Sequence, residues 1–399
     1  MKRDLQILLL VIFTAMLGLG IISPIMPVYA QSLELTMVQI GFLGSAWSIS
    51  RFVFTAPAGR LSDTYSKKRI IAFGLGSYAA VSILYSLAWD FTSLISIRFL
   101  HGVGSAMAMP VAMAYAAELA PDGMEGRFMG TMNLAMFAGM SLGPFIGGTL
   151  SEMFDLNAPF YLMGGLTSLS LLFTILFLPD QASEGDGQVI AKPSFRKVLS
   201  NKVILAAFIY RAVNALGRGA IMSFLSLYIA TPMDAGGLGL SLTIAGTVLT
   251  VGQMTTALLQ RPFGELADRY NKNALIVIGG VLGAIGMAMF TLAYDFWSLL
   301  AARLVFSAGG ALSMPAISAI ATIEGRDLGV GTTMSVVQSA MSVGNIVGPI
   351  LSGTFVELFG LQLIFSVGGG ISLMGVFIFV ILSRIALRDR HLRPISSTA

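Results

Sequence analysis

Residues 57–68 read PAGRLSDTYSKK and residues 262–273 read PFGELADRYNKN. Pro57, Gly59, Leu61 and Asp63 of the first stretch return as Pro262, Gly264, Leu266 and Asp268 of the second, at an offset of 205. Working outward, the same offset carries Arg98, Gly104, Met109 and Pro110 onto Arg303, Gly309, Met314 and Pro315. It also carries Gly139, Gly143, Pro144 and Gly148 onto Gly344, Gly348, Pro349 and Gly353. Nearer the start the offset is 199, matching Gly18, Gly20 and Tyr29 to Gly217, Gly219 and Tyr228. The six-residue difference falls among Pro232, Gly236, Gly237 and Gly239, a loop-forming composition. Chance likeness between apolar segments rarely preserves glycine, proline, arginine and aspartate together, so the chain is a duplicated unit.

What separates these motifs is long and apolar. Of 399 residues 55% are hydrophobic and 11% charged, with a mean hydropathy of +0.82, too few polar residues to coat a soluble globule of this size. Apolar runs bounded by charged or turn-rich gaps predict helices over 5–29, 38–59, 70–89, 92–118, 128–150 and 158–178. A second set is predicted over 203–230, 238–261, 273–293, 296–319, 329–354 and 360–384. About 20 residues at 1.5 Å each cross a bilayer core. The expected fold is an all-α membrane protein with twelve transmembrane helices in two pseudo-symmetric six-helix bundles. Lys2 and Arg3 before an apolar run also open signal peptides, but the run from Leu5 to Tyr29 far exceeds a signal core of about 7–15 residues, so it reads as helix 1.

The bases set the topology. With the N-terminus inside, every base outside a span lies in an inside segment, among them Lys2, Arg3, Arg60, Lys67, Lys68, Arg127, Lys192, Arg261, Lys272 and Arg384. Both termini are therefore expected in the cytoplasm, with the protein multi-pass in the plasma (cytoplasmic, inner) membrane. The polar stretch 179–200 divides the spans six and six, giving an N-terminal bundle over 1–178, a cytoplasmic linker over 179–200, a C-terminal bundle over 201–387 and a basic, Ser/Thr-rich cytoplasmic tail over 388–399.

With these residues in view, the chain resembles the major facilitator superfamily. GRLSDTYSKK at 59–68 looks like that family's signature between helices 2 and 3, RFLHGVG at 98–104 resembles its helix-4 signature, and GMSLGPFIGG at 139–148 is similar to the helix-5 signature of proton-driven drug and metabolite exporters. The resemblance implies two bundles whose central cavity faces each side in turn, a secondary active exporter of small organic molecules, and protons as the coupling ion. It makes Gly59, Asp63, Lys67 and Lys68 a gate, with Gly264, Asp268 and Arg269 as the second-half counterpart. It gives Arg98 a part in proton coupling.

The residues add their own reading. Gly59 suits a close backbone approach at the end of helix 2. Arg98 lies within a span and needs partners; bracing of equivalent bundles, with Arg303 as its mate, and coupling both fit it. His101 fits either local packing or titration, and Glu118 at the end of helix 4 is the other candidate proton carrier. Gly139, Gly143 and Gly147, with Pro144, make a small-residue face on helix 5, answered by Gly344, Gly348 and Pro349 on helix 11.

Polar residues at helical spacing mark a candidate substrate cavity: Trp47 and Arg51 on helix 2; Arg211, Asn214 and Arg218 on helix 7; Gln253 and Thr256 on helix 8; Gln338, Ser342 and Asn345 on helix 11. Tying helices together is the other use of such stripes. All 20 acids fall in loops or at span ends, unlike many drug-cation exporters, so an anionic or neutral solute is favoured. A facilitator or exchanger of organic anions and a lipid flippase are the alternatives.

Other classes fit poorly. No cysteine and only His101 and His391 leave no thiol chemistry and no metal site, no cofactor is expected, and no glycine loop suits a nucleotide, so the chain does not read as an enzyme. The bases are scattered, which speaks against nucleic acid. The expected partners are a small organic solute, protons and membrane lipids, with the protein a monomer.

Overall fold

The computed structural model describes residues 2–119, 125–180, 198–326 and 330–391. Twelve long helices run through them: α1 (Lys2–Ser32), α2 (Met37–Thr64), α3 (Lys67–Ser86), α4 (Phe91–Glu118), α5 (Glu125–Met153), α6 (Ala158–Phe177), α7 (Lys202–Ala230), α8 (Leu242–Arg269), α9 (Lys272–Met289), α10 (Phe296–Gly325), α11 (Val330–Phe359) and α12 (Ile364–His391). Among the described residues there is no strand. An all-helical chain is what lipid demands, since each helix satisfies its own backbone groups where no water can.

Eleven of these helices are long and apolar enough to cross a membrane. The exception, α2, has the length but carries Ser45, Ser48, Ser50, Arg51 and Thr55 through its middle; Ser45 and Ser50 are fully buried, so this polarity is turned into protein.

Short polar caps start the helices. Thr36 and Gln39 form a reciprocal capping box on α2, and Asp295 and Ser298 form one on α10. Asp90 and Ser93, which lie 205 residues before that second pair, bond in the same way at the start of α4, with Ser93 N donating to Asp90 Oδ1 over 2.8 Å. Ser66 caps α3 and Asn271 caps α9.

Three expectations about boundaries change. Helices α2 and α8 continue to Thr64 and Arg269, because a single residue, Tyr65 or Tyr270, is enough before the caps at Ser66 and Asn271 open the next helix. Asp63 and Asp268 therefore sit in last helical turns and not in the connecting turn. The segment expected as a tail from 388 is helical to His391, while 392–399 and 181–197 of the linker lie outside the described residues. After α7 the extra residues form a lasso: Leu238 N and Leu240 N return to Tyr228 O and Ile229 O, with Gly236 and Gly239 in the left-handed region.

The chain forms two compact units. Of the described residues, the first holds α1–α6 with Ala220–Met254 and Pro349–Gln362; the second holds 198–219, those of Thr255–Gly348, and 363–391. In the first, α1 lies against α5 and α6, α2 against α4, and α3 against α4 and α6. One of its apolar clusters is built from Leu8, Val11, Ile12, Ile71, Leu75, Ala112 and Tyr115. In the second, α9 lies against α10 and α12 over Ile204, Ile276, Ile317, Val336 and Phe379. Large exposed apolar groups such as Phe73, Leu172, Leu176, Ile278 and Phe377 lie on the outward faces that lipid would cover.

Candidate functional site

In the first unit the site is set by how closely α2 and α4 approach. A Cβ on Gly102 would collide with Ser50 Oγ and come within 2.6 Å of Trp47 O, so α4 is seated directly on the Trp47–Arg51 turn of α2. Trp47 and Arg51, four apart on one face, form a cation–π pair with the guanidinium 5.1 Å from the ring centroid. The next residue back on α4, His101, is fully buried. Its Nδ1 is hydrogen-bonded to the Tyr85 hydroxyl at 3.0 Å, and its ring lies edge-on to Tyr78 with centroids 4.5 Å apart. Among the described residues, His101 Nε2, Arg98 Nε and Nη1 and the Tyr78 hydroxyl have no hydrogen-bond partner. Buried polar atoms without partners are costly in an apolar surround, and they cluster where water or a ligand completes them.

In the second unit the α7 stripe meets α11. Arg211 is buried and its Nη2 donates to Gln338 Oε1 over 2.7 Å. Asn214, Arg218, Ser342 and Asn345 are half-buried, as is Thr256 of α8. Arg303, the repeat mate of Arg98, lies over Phe306 at 5.6 Å with Nε unbonded. Gln253, on the α8 segment that belongs to the first unit, is half-buried.

The motif turn after α2 carries a different chemistry. Lys67 is buried and its ammonium lies 2.9 Å from Glu118, so Glu118, expected as a proton carrier, is engaged as an ion-pair partner joining the start of α3 to the end of α4. Asp180, just after α6, accepts from the Ser66 hydroxyl and lies 3.5 Å from Arg69. The Ser66 bond, with Arg69 and Lys68 beside it, holds the Asp180 carboxyl below its ordinary value. Lys68 is half-buried, while Asp268 and Arg269 are exposed. The Asp63 side chain lies outside the described residues. A Cβ at Gly59 or Gly264 would meet none of the described residues within 4 Å, so neither glycine serves a close approach in this conformation.

The small-residue faces do. A Cβ on Gly139, Gly143 or Gly147 would run into α1 at Phe13 O, Gly20 and Ile21 O; one on Gly344 or Gly348 would run into α7 at Ala215 and Leu216. Thus α5 lies on α1 as α11 lies on α7.

At the end of the first unit distal to the chain's start, a contact set repeats itself. Gly41 of α2 abuts Pro349 O and Gly246 of α8 abuts Pro144 O; Gly148 of α5 abuts Leu242 O and Gly353 of α11 abuts Met37 O. Two acids complete it: Glu152 Oε2 accepts from Thr243 N at 3.2 Å and Glu357 Oε1 accepts from Val38 N at 3.1 Å. Every member has its mate 205 residues away. Among acids that all read as loop or span-end residues, the offset of 205 that links Glu152 to Glu357 is the signal that finds them.

A family model described as Major Facilitator Superfamily matches residues 8–231 and again 207–397. An uncharacterized MFS-type transporter of Methanocaldococcus jannaschii is 29% identical over 366 residues, 90% of this chain and 93% of that protein. The quinolone resistance protein NorA of Staphylococcus aureus (strain COL) is 27% identical over 384 residues, 96% of this chain and 97% of that protein. Among solved structures, a mutant of the nucleoside transporter NupG aligns with a TM-score of 0.81 at 17% identity over 95% of this chain and 99% of its own. A bacterial homolog of the human lysosomal transporter Spinster, inward-facing and unoccupied, aligns with a TM-score of 0.81 at 16% identity over 99% of each chain. The two structural likenesses are likenesses of fold.

Proposed function

Because the chain belongs to the Major Facilitator Superfamily, whose members carry small molecules across membranes by alternating access, we propose that it is a proton-coupled exporter of small organic molecules. The drug-exporter branch is supported by the near full-length similarity to a quinolone resistance protein. The observation that carries the substrate class is the pair of arginine sites: Arg51 over the face of Trp47 in one unit, and Arg211 held by Gln338 in the other. Each offers a guanidinium beside a stacking or amide group, which suits a flat aromatic bearing a carboxylate. Asn214, Arg218, Gln253, Thr256, Ser342 and Asn345 supply further polar contacts.

His101 is the group we assign to proton exchange: Tyr85 holds Nδ1 and Nε2 has no hydrogen-bond partner, with Arg98 one turn away on the same helix. The motif turn at Asp63, Lys67 and Lys68 and its second-half counterpart at Asp268 and Arg269 each serve as an inner gate element. We take residues 1–178 and 201–387 as the moving halves, with both termini in the cytoplasm of a cell whose plasma membrane holds the monomer. The inside placement of the bases supports that orientation.

The test is transport in proteoliposomes with and without an imposed pH gradient, using matched aromatic carboxylates, aromatic amines and neutral analogues. Carboxylate accumulation that needs the gradient, and that falls in R51A and R211A, is the expected result. Accumulation of the amines, indifferent to both substitutions, would sink the substrate assignment. Saturable flux without a gradient would identify a facilitator.

A further inference from the structure

We infer that Glu152 and Glu357 are a matched pair of gate latches, holding the outer face closed by capping helices from the opposite half of the sequence. Glu152 ends α5 and accepts from the second amide of α8; Glu357 ends α11 and accepts from the second amide of α2. The first amides of a helix have no partner within it, and that end carries partial positive charge, so a carboxylate there both completes a hydrogen bond and meets a favourable field. The donors, Val38 and Thr243, are themselves 205 residues apart, as are the acids. One contact is therefore made twice, and each copy crosses from one half of the sequence to the other.

The backbone contacts beneath explain why an acid is needed. Gly41, Gly148, Gly246 and Gly353 let carbonyls of the facing helices come into direct contact where any side chain would collide. Close apposition of helices buries little side-chain surface at these points, so dispersion is the main attraction, and in a membrane protein it has no hydrophobic effect to add to it. The glycines let the outer ends meet; the carboxylates hold them. Because alternating access requires this closure to break in every cycle, a latch of two moderate bonds suits the task better than a buried ion pair, whose rupture would strand a charge. Thr250 adds a neutral contact, its hydroxyl accepting from Phe145 N at 3.1 Å on the α5–α8 side.

The inference rests on alternating access and is independent of substrate or coupling ion, so it is tested by a distance and not by flux. The chain has no cysteine, so Phe154 and Met233, exposed at the outer ends of the two halves, can be replaced by cysteines and spin-labelled without further change. In full-length protein in nanodiscs, electron–electron double resonance should show one dominant short distance. In E152A/E357A the long-distance population should rise about three- to tenfold, with each single variant giving part of that shift. E152Q/E357Q, which keeps the acceptor oxygen and loses the charge, should fall between. D234A removes a nearby outer acid that caps nothing in the opposite half and should leave the distances unchanged. A double alanine variant with the parent's distances overturns the inference, as does an equal opening in D234A, which would make the effect one of surface charge. If the double variant does not purify as a folded monomer, the single variants carry the same comparison.

Discussion

The ammonium of Lys67 lies 2.9 Å from Glu118 with only 4% of the lysine side chain exposed, while 53% of the glutamate side chain is open to solvent. The pair is lopsided. Removing Glu118 takes a carboxylate away from a buried cation, whereas removing Lys67 leaves an acid that water can solvate. E118A is therefore expected to destabilise by about 1–3 kcal/mol, and K67M by less than half as much. Thermal unfolding of the purified variants checks the order. Equal losses, or a larger one for K67M, would show that the ion pair is incidental to how α3 meets α4.

Acid should loosen α4 and α10 together. The Asp90 carboxyl is held below its ordinary value of 3.8 first by the Ser93 amide and then by its hydroxyl, and Asp295 is held below the same value by the hydroxyl and amide of Ser298. A depressed carboxyl contributes stability that is present above its unfolded value and lost as pH falls through the folded one. Between pH 5 and 8 the two helix starts should exchange amide hydrogens at protection that does not change with pH; below about pH 4 both should fray. S93A should fray α4 at neutral pH and spare α10, which hydrogen exchange read by mass spectrometry would resolve.

How much of this was open to sequence reading depended on the range of the interaction. Helix count and packing faces follow from run length and from the spacing of Gly139, Gly143 and Gly147, because one helix dictates its own periodicity. The meeting of Arg211 with Gln338 was within reach for the same reason: each stripe announces a polar face, and only the pairing needed coordinates. Glu118 reads in the sequence as a candidate proton carrier, and its ion pair with Lys67 is not legible there because the two residues lie on different helices. Glu152 and Glu357 were invisible as gate residues because an acid at a helix end reads as a solvated terminus until the helix that it caps is known. Polarity did not hide α2: the run over 38–59 reads as a span even though Ser45, Ser50 and Arg51 leave it less apolar than the other eleven helices.

Arg211 and Gln338 should separate in kinetics. The amide oxygen that holds Arg211 at 2.7 Å is its only hydrogen-bond acceptor among the described residues, and Arg211 Nε has no partner among them. Q338L should raise KM for an aromatic carboxylate by about tenfold with kcat little changed, since it misplaces a binding group. R211K keeps the charge but not the fork and should resemble Q338L more than the parent. R211A should raise KM further. A fall in kcat alone in all three would move these residues from binding to the conformational step.

Gly59 and Gly143 should respond with opposite signs. At Gly143 a Cβ would stand 2.6 Å from Gly20 Cα, so G143A forces α5 away from α1 and should cost about 1–3 kcal/mol. At Gly59 the Cβ position is open, and the residue is helical, so G59A relieves the entropic penalty of glycine and should stabilise by about 0.5–1 kcal/mol. Yet Gly59 has a mate at Gly264 in the same open situation. Two equivalent glycines that serve no approach in a conformation closed at its outer end are explained if the approach occurs when the inner end closes. G59A should then raise the melting temperature while slowing transport, because it favours this conformation over its alternate. A variant that melts higher and transports at the parent's rate would leave Gly59 a neutral helix residue; one that melts lower would mean that the space beside it is already filled.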